Sequence, residues 1–70
     1  MWTKGDVNGY RFCIKHFEEG SQFGIEEGRI SKLHISKDGV TLANYDRGWD
    51  ILPADKAARE VYEALLKKYN

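Results

Sequence analysis

The sequence predicts an α+β domain in which a four-stranded antiparallel sheet, made of two β-hairpins, carries one C-terminal α-helix on one face (ββββα). Two dipeptides, Asn8-Gly9 and Asp38-Gly39, each separate a pair of extended segments, and a segment with helical period follows Pro53. Asn-Gly and Asp-Gly favour two-residue hairpin turns because both positions accept a positive φ. A chain of 70 residues is short enough that we expect a single domain over residues 1–70.

The first hairpin has a register that its turn determines. With a two-residue turn at Asn8-Gly9, Val7 lies opposite Tyr10, and the other pairs follow outward. These pairs are Asp6/Arg11, Gly5/Phe12, Lys4/Cys13, Thr3/Ile14 and Trp2/Lys15. One face is then apolar, while the other gains an ion pair and a lysine–tryptophan cation–π contact.

The second hairpin joins residues 29–37 to residues 40–46 through Asp38-Gly39. A two-residue turn is favoured, because a three-residue loop would send the apolar residues of the two strands to opposite faces. The two-residue turn places on the core face Leu33, Ile35, Val40 and Leu42. It places on the opposite face Lys32, His34, Thr41, Ala43 and Tyr45.

The connection between the hairpins, residues 17–28, contains three glycines and four glutamates. It lacks the strand-to-helix context of a phosphate-binding loop. Phe23 and Ile25 alternate within it, and we expect both side chains to pack onto the core while the glutamates stay in solvent.

An amphipathic helix is predicted from Asp55 to Tyr69. Its apolar stripe recurs at intervals of three and four residues and comprises Ala58, Val61, Tyr62, Leu65, Leu66 and Tyr69. Pro53 suits the first turn, and Asp55 lies near the positive end of the helix dipole. We expect this helix to cover the apolar face of the sheet.

The segment 44–50 (NYDRGWD) concentrates aromatic and charged side chains beside a strand end. We interpret residues 46–48 as a turn and Asp50 as a hydrogen-bond acceptor near the helix start. Trp49 is expected to be buried and to close one end of the core. Tyr45, by strand parity, is expected on the uncovered face of the sheet.

Asp46 and Asp50, with Arg47 to hold an anion, also suit a general acid–base pair. No activated nucleophile accompanies them, and a sheet with one helix offers little concavity for a substrate. We therefore expect a protein that is not an enzyme.

Cysteine and histidine form no recognisable site in the sequence. Cys13 has no cysteine partner and is interpreted as an incidental thiol. His16 and His34 could share a metal ion only if the two hairpins bring them together, which their spacing does not require. We expect no metal and no cofactor.

Composition limits the compartment and the partners. Eleven basic and eleven acidic residues cancel, which disfavours a domain that holds nucleic acid mainly through phosphates. No apolar run approaches the roughly 20 residues needed to cross a bilayer, and no signal-peptide pattern is present. We expect a soluble, cytoplasmic protein without membrane contact.

An interaction surface is predicted on the uncovered sheet face and the adjoining corner, where aromatic and basic residues intermingle. Its residues are Trp2, Arg11, Lys15, Lys32, His34, Tyr45 and Arg47. Tyr, Trp and Arg are typical anchors of protein interfaces, and the same mixture suits single-stranded nucleic acid. The zero net charge favours a protein partner or self-association, with weak binding of single-stranded nucleic acid as the alternative.

Several segments of the chain carry a family resemblance: residues 1–5 (MWTKG), 23–25 (FGI), 28–33 (GRISKL), 44–50 (NYDRGWD) and 65–70 (LLKKYN). Over nearly its whole length the chain resembles a family of small uncharacterised bacterial domains of unknown function, found in Firmicutes and in their mobile elements and phages. The resemblance implies an accessory role in a bacterial cytoplasm, and it transfers no catalytic residue and no ligand.

Overall fold

Five antiparallel strands and one α-helix make up the fold, and the computed structural model describes all of residues 1–70. The elements are β1 (Trp2–Val7), β2 (Tyr10–His16), β3 (Ile30–Lys37), β4 (Val40–Asp46), β5 (Trp49–Ile51) and α1 (Lys56–Tyr69). The strands form one sheet in chain order, β1-β2-β3-β4-β5. The α+β class and the C-terminal helix are confirmed, but the sheet has five strands and not the four predicted.

The first hairpin has the predicted turn and register. Asn8 and Gly9 both have positive φ, 52° and 82°, and all six predicted pairs between β1 and β2 are present. Gly5 lies so close to the ring of Phe12 that an added Cβ would be 2.9 Å from its Cε2 atom. Glycine at this position therefore allows the Phe12 ring to pack across β1.

The second hairpin has the predicted two-residue turn but not the predicted faces. Asp38 and Gly39 have φ of 52° and 79°, and Ser36 pairs with Thr41. The next pair is Ile35 with Ala43, which leaves Leu42 as the extra residue of a β-bulge. A bulge shifts the alternation of side chains by one residue.

The bulge overturns the face predicted for the residues of β4. Ala43 and Tyr45 lie in the core, 0% and 7% exposed, whereas Val40 is 58% exposed and Leu42 is half-buried. The apolar pair Val40/Leu42 and the pair Ala43/Tyr45 have opposite parity, so a regular strand could bury only one of them. The structure buries the pair that contains the larger side chain.

The core lies between the sheet and α1. Its buried residues are Phe12, Ile14, Ile25, Ile30, Leu33, Ile35, Ala43, Tyr45, Val61 and Leu65. The predicted helix stripe is confirmed, since each of its residues is buried or half-buried. Complete burial of one large aliphatic side chain stabilises a fold by about 1.5–3 kcal/mol, and Ile14, Ile30 and Ile35 are each 0% exposed.

The connection between β2 and β3 places one of its two apolar residues in the core. Ile25 opens a short 3-10 turn, Ile25–Glu27, and is 1% exposed. The side chain of Phe23 is 51% exposed, contrary to the prediction. The hydroxyl of Tyr45 donates a hydrogen bond of 2.9 Å to the carbonyl oxygen of Phe23, so the backbone of Phe23, not its ring, contacts the core.

The corner after β4 contains the strand that the sequence did not reveal. Arg47 has φ of 58° and turns the chain, as predicted for residues 46–48, into β5, where Trp49 pairs with Tyr45. The ring of Trp49 packs edge-on against Tyr45 and against Tyr62 of α1, with centroids 5.1 and 5.4 Å apart. Trp49 thus contacts the helix, but it remains 37% exposed and is not buried as predicted.

The start of α1 is held by Asp55, which was predicted at the helix start, whereas Pro53 and Asp50 do not have the positions predicted for them. Asp55 is the N-cap, and its Oδ1 accepts a 2.7 Å hydrogen bond from the backbone N–H of Ala58. Pro53 precedes this cap and lies outside the first turn. Asp50 accepts a hydrogen bond from the side chain of Asn44 at 3.3 Å, not from the helix start.

No helix of the chain is long and apolar enough to span a membrane.

Candidate interaction surface

One face of the sheet has no helix over it, and we call it the open face. It is built by alternate residues of the strands, as the register dictates. Its residues are Trp2, Lys4, Asp6, Arg11, Cys13, Lys15, Lys32, His34, Ser36, Thr41, Asn44 and Asp46. All of these residues except Trp2 are polar or small. The exposed ring of Trp2 is therefore surrounded mainly by polar side chains.

A cluster of aromatic rings and lysines occupies one end of the open face. The Nζ atom of Lys15 lies 5.8 Å from the ring centroid of Trp2 and 5.6 Å from that of Phe17. The Nζ atom of Lys32 lies 6.0 Å from the Trp2 ring. Trp2 is 54% and Phe17 47% exposed, so a partner has access to both rings. Desolvation of these rings and lysines would strengthen their cation–π attraction.

A shallow concavity of about 480 Å³ lies over β1, β2 and β3 on the open face. Lys4, Cys13 and His34 contribute to its lining, and His34 Nε2 is 3.0 Å from the hydroxyl of Thr41. A smaller depression of about 150 Å³, lined in part by Trp2 and His34, adjoins it. Small-molecule sites of this volume are mostly apolar and enclosed. A shallow concavity that is open to solvent and has a mixed polar and apolar lining better fits a side chain that projects from another protein.

Ion pairs neutralise part of the charge on the open face. Asp46 lies 3.8 Å from Lys32 and 3.7 Å from Arg47, and Asp6 lies 3.8 Å from Arg11. All of these groups are substantially exposed, so each pair contributes little to stability. Lys4 and Lys15 take part in no ion pair. The face therefore offers two cations to a partner, although the whole chain has zero net charge.

The structure brings together five of the seven residues predicted for the interaction surface. These five lie on the open face: Trp2, Arg11, Lys15, Lys32 and His34. Tyr45 does not join them, because the bulge in β4 turns its side chain into the core. Arg47 lies in the turn after β4, where its contact with Asp46 links it to the rim of the face.

The residues considered for catalysis and metal binding do not form a site. Asp46 and Asp50 are exposed, and each already has a different partner. His34 is on the open face, while the Nε2 of His16 lies 2.9 Å from the hydroxyl of Thr3. No group of three or more Cys, His, Asp or Glu side chains could hold a metal ion. Acid–base chemistry and metal binding therefore gain no support from the geometry.

Two side chains outside the open face have perturbed pKa values. The pKa of His16 is lowered by burial first, and then by the positive charges of the Met1 amino group and Arg29. The pKa of Tyr62 is raised, mainly by burial, with a smaller contribution from Glu26. His16 packs against Tyr69 at a centroid distance of 5.2 Å. Burial is the main cause of both pKa shifts, and nearby charges account for the rest.

Two residues of the surface, Phe17 and Lys4, were not predicted from the sequence. Phe17 is two residues after Lys15, and the alternation of an extended chain could have placed the two side chains together. Lys4 was assigned to the correct pair, opposite Cys13, and its position beside the concavity follows from that register. The concavity itself had no sequence signal.

Fold and surface together define a small α+β domain with a five-stranded meander, one covered face and one open face. By comparison with known families, the chain belongs to the domain of unknown function DUF7678, which it matches over residues 1–70. No curated protein and no solved structure matches the chain.

Proposed function

We propose that this domain is a non-enzymatic interaction module that binds another protein through the open face. One observation carries the proposal: Trp2, half-exposed, stands with Lys15 and Lys32 on a sheet face that nothing in the chain covers. Tryptophan is among the residues most enriched at the energetic centres of protein interfaces. The adjoining shallow concavity gives a partner side chain a place beside this anchor.

Bacterial origin, a mobile-element context and a cytoplasmic location are parts of the same proposal. They are supported by the resemblance of residues 1–5 and 44–50 to small bacterial domains. The concavities of the open face are shallow, which favours a role through contact with another protein over a role in catalysis.

Differential affinity capture tests the proposal. Trp2→Ala removes the anchor of the open face, and Phe23→Ala removes a ring of equal exposure, 51% against 54%, from the loop between β2 and β3. Immobilised wild type, Trp2→Ala and Phe23→Ala are compared by quantitative mass spectrometry of the retained proteins. We expect a protein that wild type and Phe23→Ala retain and Trp2→Ala loses. Equal retention of every protein by all three baits would contradict the proposal.

Single-stranded nucleic acid is the second candidate, and the position of Lys15 between the rings of Trp2 and Phe17 favours it. Rings that stack on bases and lysines that neutralise phosphates are typical of such sites. The carboxylates of Asp46 and Asp6 disfavour nucleic acid, because they lie beside Lys32 and Arg11 and would repel phosphates. Fluorescence anisotropy with a mixed-sequence oligonucleotide decides: salt-sensitive binding that Trp2→Ala abolishes supports this candidate, and no binding at low salt excludes it.

A further inference from the structure

The outer side of β1 is an unpaired edge of the sheet. Met1 and His16 exchange both backbone hydrogen bonds, at 2.8 and 3.0 Å. Hydrogen-bonded pairs alternate with non-hydrogen-bonded pairs along an antiparallel ladder. The backbone N–H and C=O groups that point away from β2 are therefore those of Trp2, Lys4 and Asp6.

The opposite edge of the sheet is less able to accept a strand. β5 has three residues, Trp49–Ile51, and Pro53, which has no N–H to donate, follows shortly after it. Pairing of β1 with β5 of another copy would extend without closing, whereas pairing of β1 with β1 closes about a twofold axis. The six-residue edge strand β1 of one copy therefore pairs best with β1 of a second copy.

We propose that two copies of the domain associate by antiparallel pairing of β1 with β1, with the twofold axis at Gly5. The outward-pointing backbone N–H and C=O groups of one copy must bond to those of the other. These groups belong to residues of even number, so Lys4 lies opposite a residue of even number in the second copy. The registers centred on Lys4 and on Asp6 set Lys4 opposite Lys4 or Asp6 opposite Asp6, and like charges directly opposite are destabilising. A register centred on Thr3 sets Lys4 opposite Trp2 and brings no opposite charges together. The register centred on Gly5 sets Lys4 opposite Asp6 of the second copy, twice, and each such pair exchanges both its backbone hydrogen bonds.

The side chains of β1 suit this register on both faces. The carboxylate of Asp6 is 68% exposed beside Arg11, so it remains available to a lysine of the second copy. At the axis, Gly5 faces Gly5 in a non-hydrogen-bonded pair, where Cα atoms approach to about 4.5 Å. The ring of Phe12 already fills the space beside this glycine. Thr3 then lies opposite Val7 on the helix side, a pairing of two β-branched residues that favours a sheet.

This pairing concerns the edge of the sheet, so its failure would leave the proposed function of the open face untouched. It joins the two sheets into one and sets the two open faces side by side. A partner with two equivalent sites would then bind the pair more tightly than one copy.

Charge reversal tests the register. Lys4→Glu makes the edge acidic and Asp6→Lys makes it basic, so each variant alone sets like charges opposite each other. The control Lys56→Glu makes the same change in net charge as Lys4→Glu, at an exposed position on α1. Sedimentation velocity at millimolar concentration and low salt measures the dimer Kd, and urea titration verifies that each variant is folded.

Wild type and Lys56→Glu are expected to dimerise, and either edge variant is expected to raise the Kd about tenfold or more. An equimolar mixture of Lys4→Glu and Asp6→Lys should recover the dimer, because their edges are complementary. In a mixed-label NMR sample of wild type, the α-protons of Gly5 should show a contact between copies. A monomeric wild type, edge variants that dimerise like the control, or a mixture that stays monomeric would each overturn the proposal.

Discussion

The side-chain carbonyl oxygen of Asn70 accepts a hydrogen bond from the backbone N–H of Ile30 at 2.9 Å. The amide nitrogen of the same side chain donates to the carbonyl of Ile25 at 3.1 Å. This amide also fills the space that a Cβ at residue 28 would need, so the close contact requires Gly28. One side chain at the end of α1 thus fastens the connection between β2 and β3 to the helix.

Asn70→Ala is expected to destabilise the domain by about 1–3 kcal/mol, because the N–H of Ile30 and the carbonyl of Ile25 lose their partner. Asn44→Ala is the control, since it removes a longer hydrogen bond, 3.3 Å, to the exposed Asp50. Urea titration measures both free energies of unfolding. Equal losses for the two variants would show that the contact of Asn70 does not stabilise the fold.

Tyr45→Ala is expected to cost about 3–5 kcal/mol, as loss of a buried aromatic side chain commonly does. Trp49→Ala should cost less, about 1–2 kcal/mol, because its ring is 37% exposed. Tyr45→Phe keeps the ring and loses only the hydrogen bond to Phe23, for about 1 kcal/mol. A larger loss from Trp49→Ala than from Tyr45→Ala, in the same titration, would contradict the bulge in β4.

Gly5→Ala is expected to destabilise by about 1–3 kcal/mol, because the new methyl group overlaps the ring of the buried Phe12. Gly48→Ala is the matched control, since a Cβ there meets no atom within 4 Å. Thermal unfolding at low protein concentration compares the two. If both variants unfold at the wild-type temperature, Phe12 does not pack against β1 as described.

His16 predicts a pH dependence of stability. Its pKa in the folded domain is lowered, mainly by burial, so the unfolded chain binds a proton more readily. The stability that neutral His16 contributes is present above about pH 6.5, the ordinary pKa, and is lost as pH falls through the lowered folded pKa. Unfolding free energies between pH 7.5 and 5 should fall more steeply for wild type than for His16→Gln. Parallel curves would show that His16 does not titrate in this way.

The turns and the helix were predictable because each depends on local chemistry. Asn8-Gly9 and Asp38-Gly39 accept the positive φ that they adopt, and the stripe of α1 recurs with helical period. The pairing of the first hairpin could be predicted from its turn alone, because its register is unbroken. Trp2, Arg11 and Lys15 were placed on the open face correctly for the same reason. Lys32 and His34 were placed there by their alternation with the buried Leu33 and Ile35 of β3.

The bulge at Leu42 was not predictable in the same way, because β4 contains two apolar pairs of opposite parity. Which pair is buried depends on tertiary contacts, above all on the space that Tyr45 fills and on its hydrogen bond to Phe23. The strand β5 could not be predicted from the sequence for a related reason. A strand of three residues has too few positions for a pattern, and its pairing with β4 depends on a turn at Arg47, where positive φ is uncommon.

The two tryptophans test the central claim most directly, because Trp2 is on the open face and Trp49 is on the helix face. In a two-dimensional nitrogen–proton NMR spectrum each indole N–H gives its own signal, assigned from the Trp2→Ala and Trp49→Ala variants. Titration with the purified protein identified by differential capture should shift the Trp2 signal and leave the Trp49 signal in place. A shift of the Trp49 signal alone would place the contact on the helix side and contradict the assignment of the open face as the binding surface.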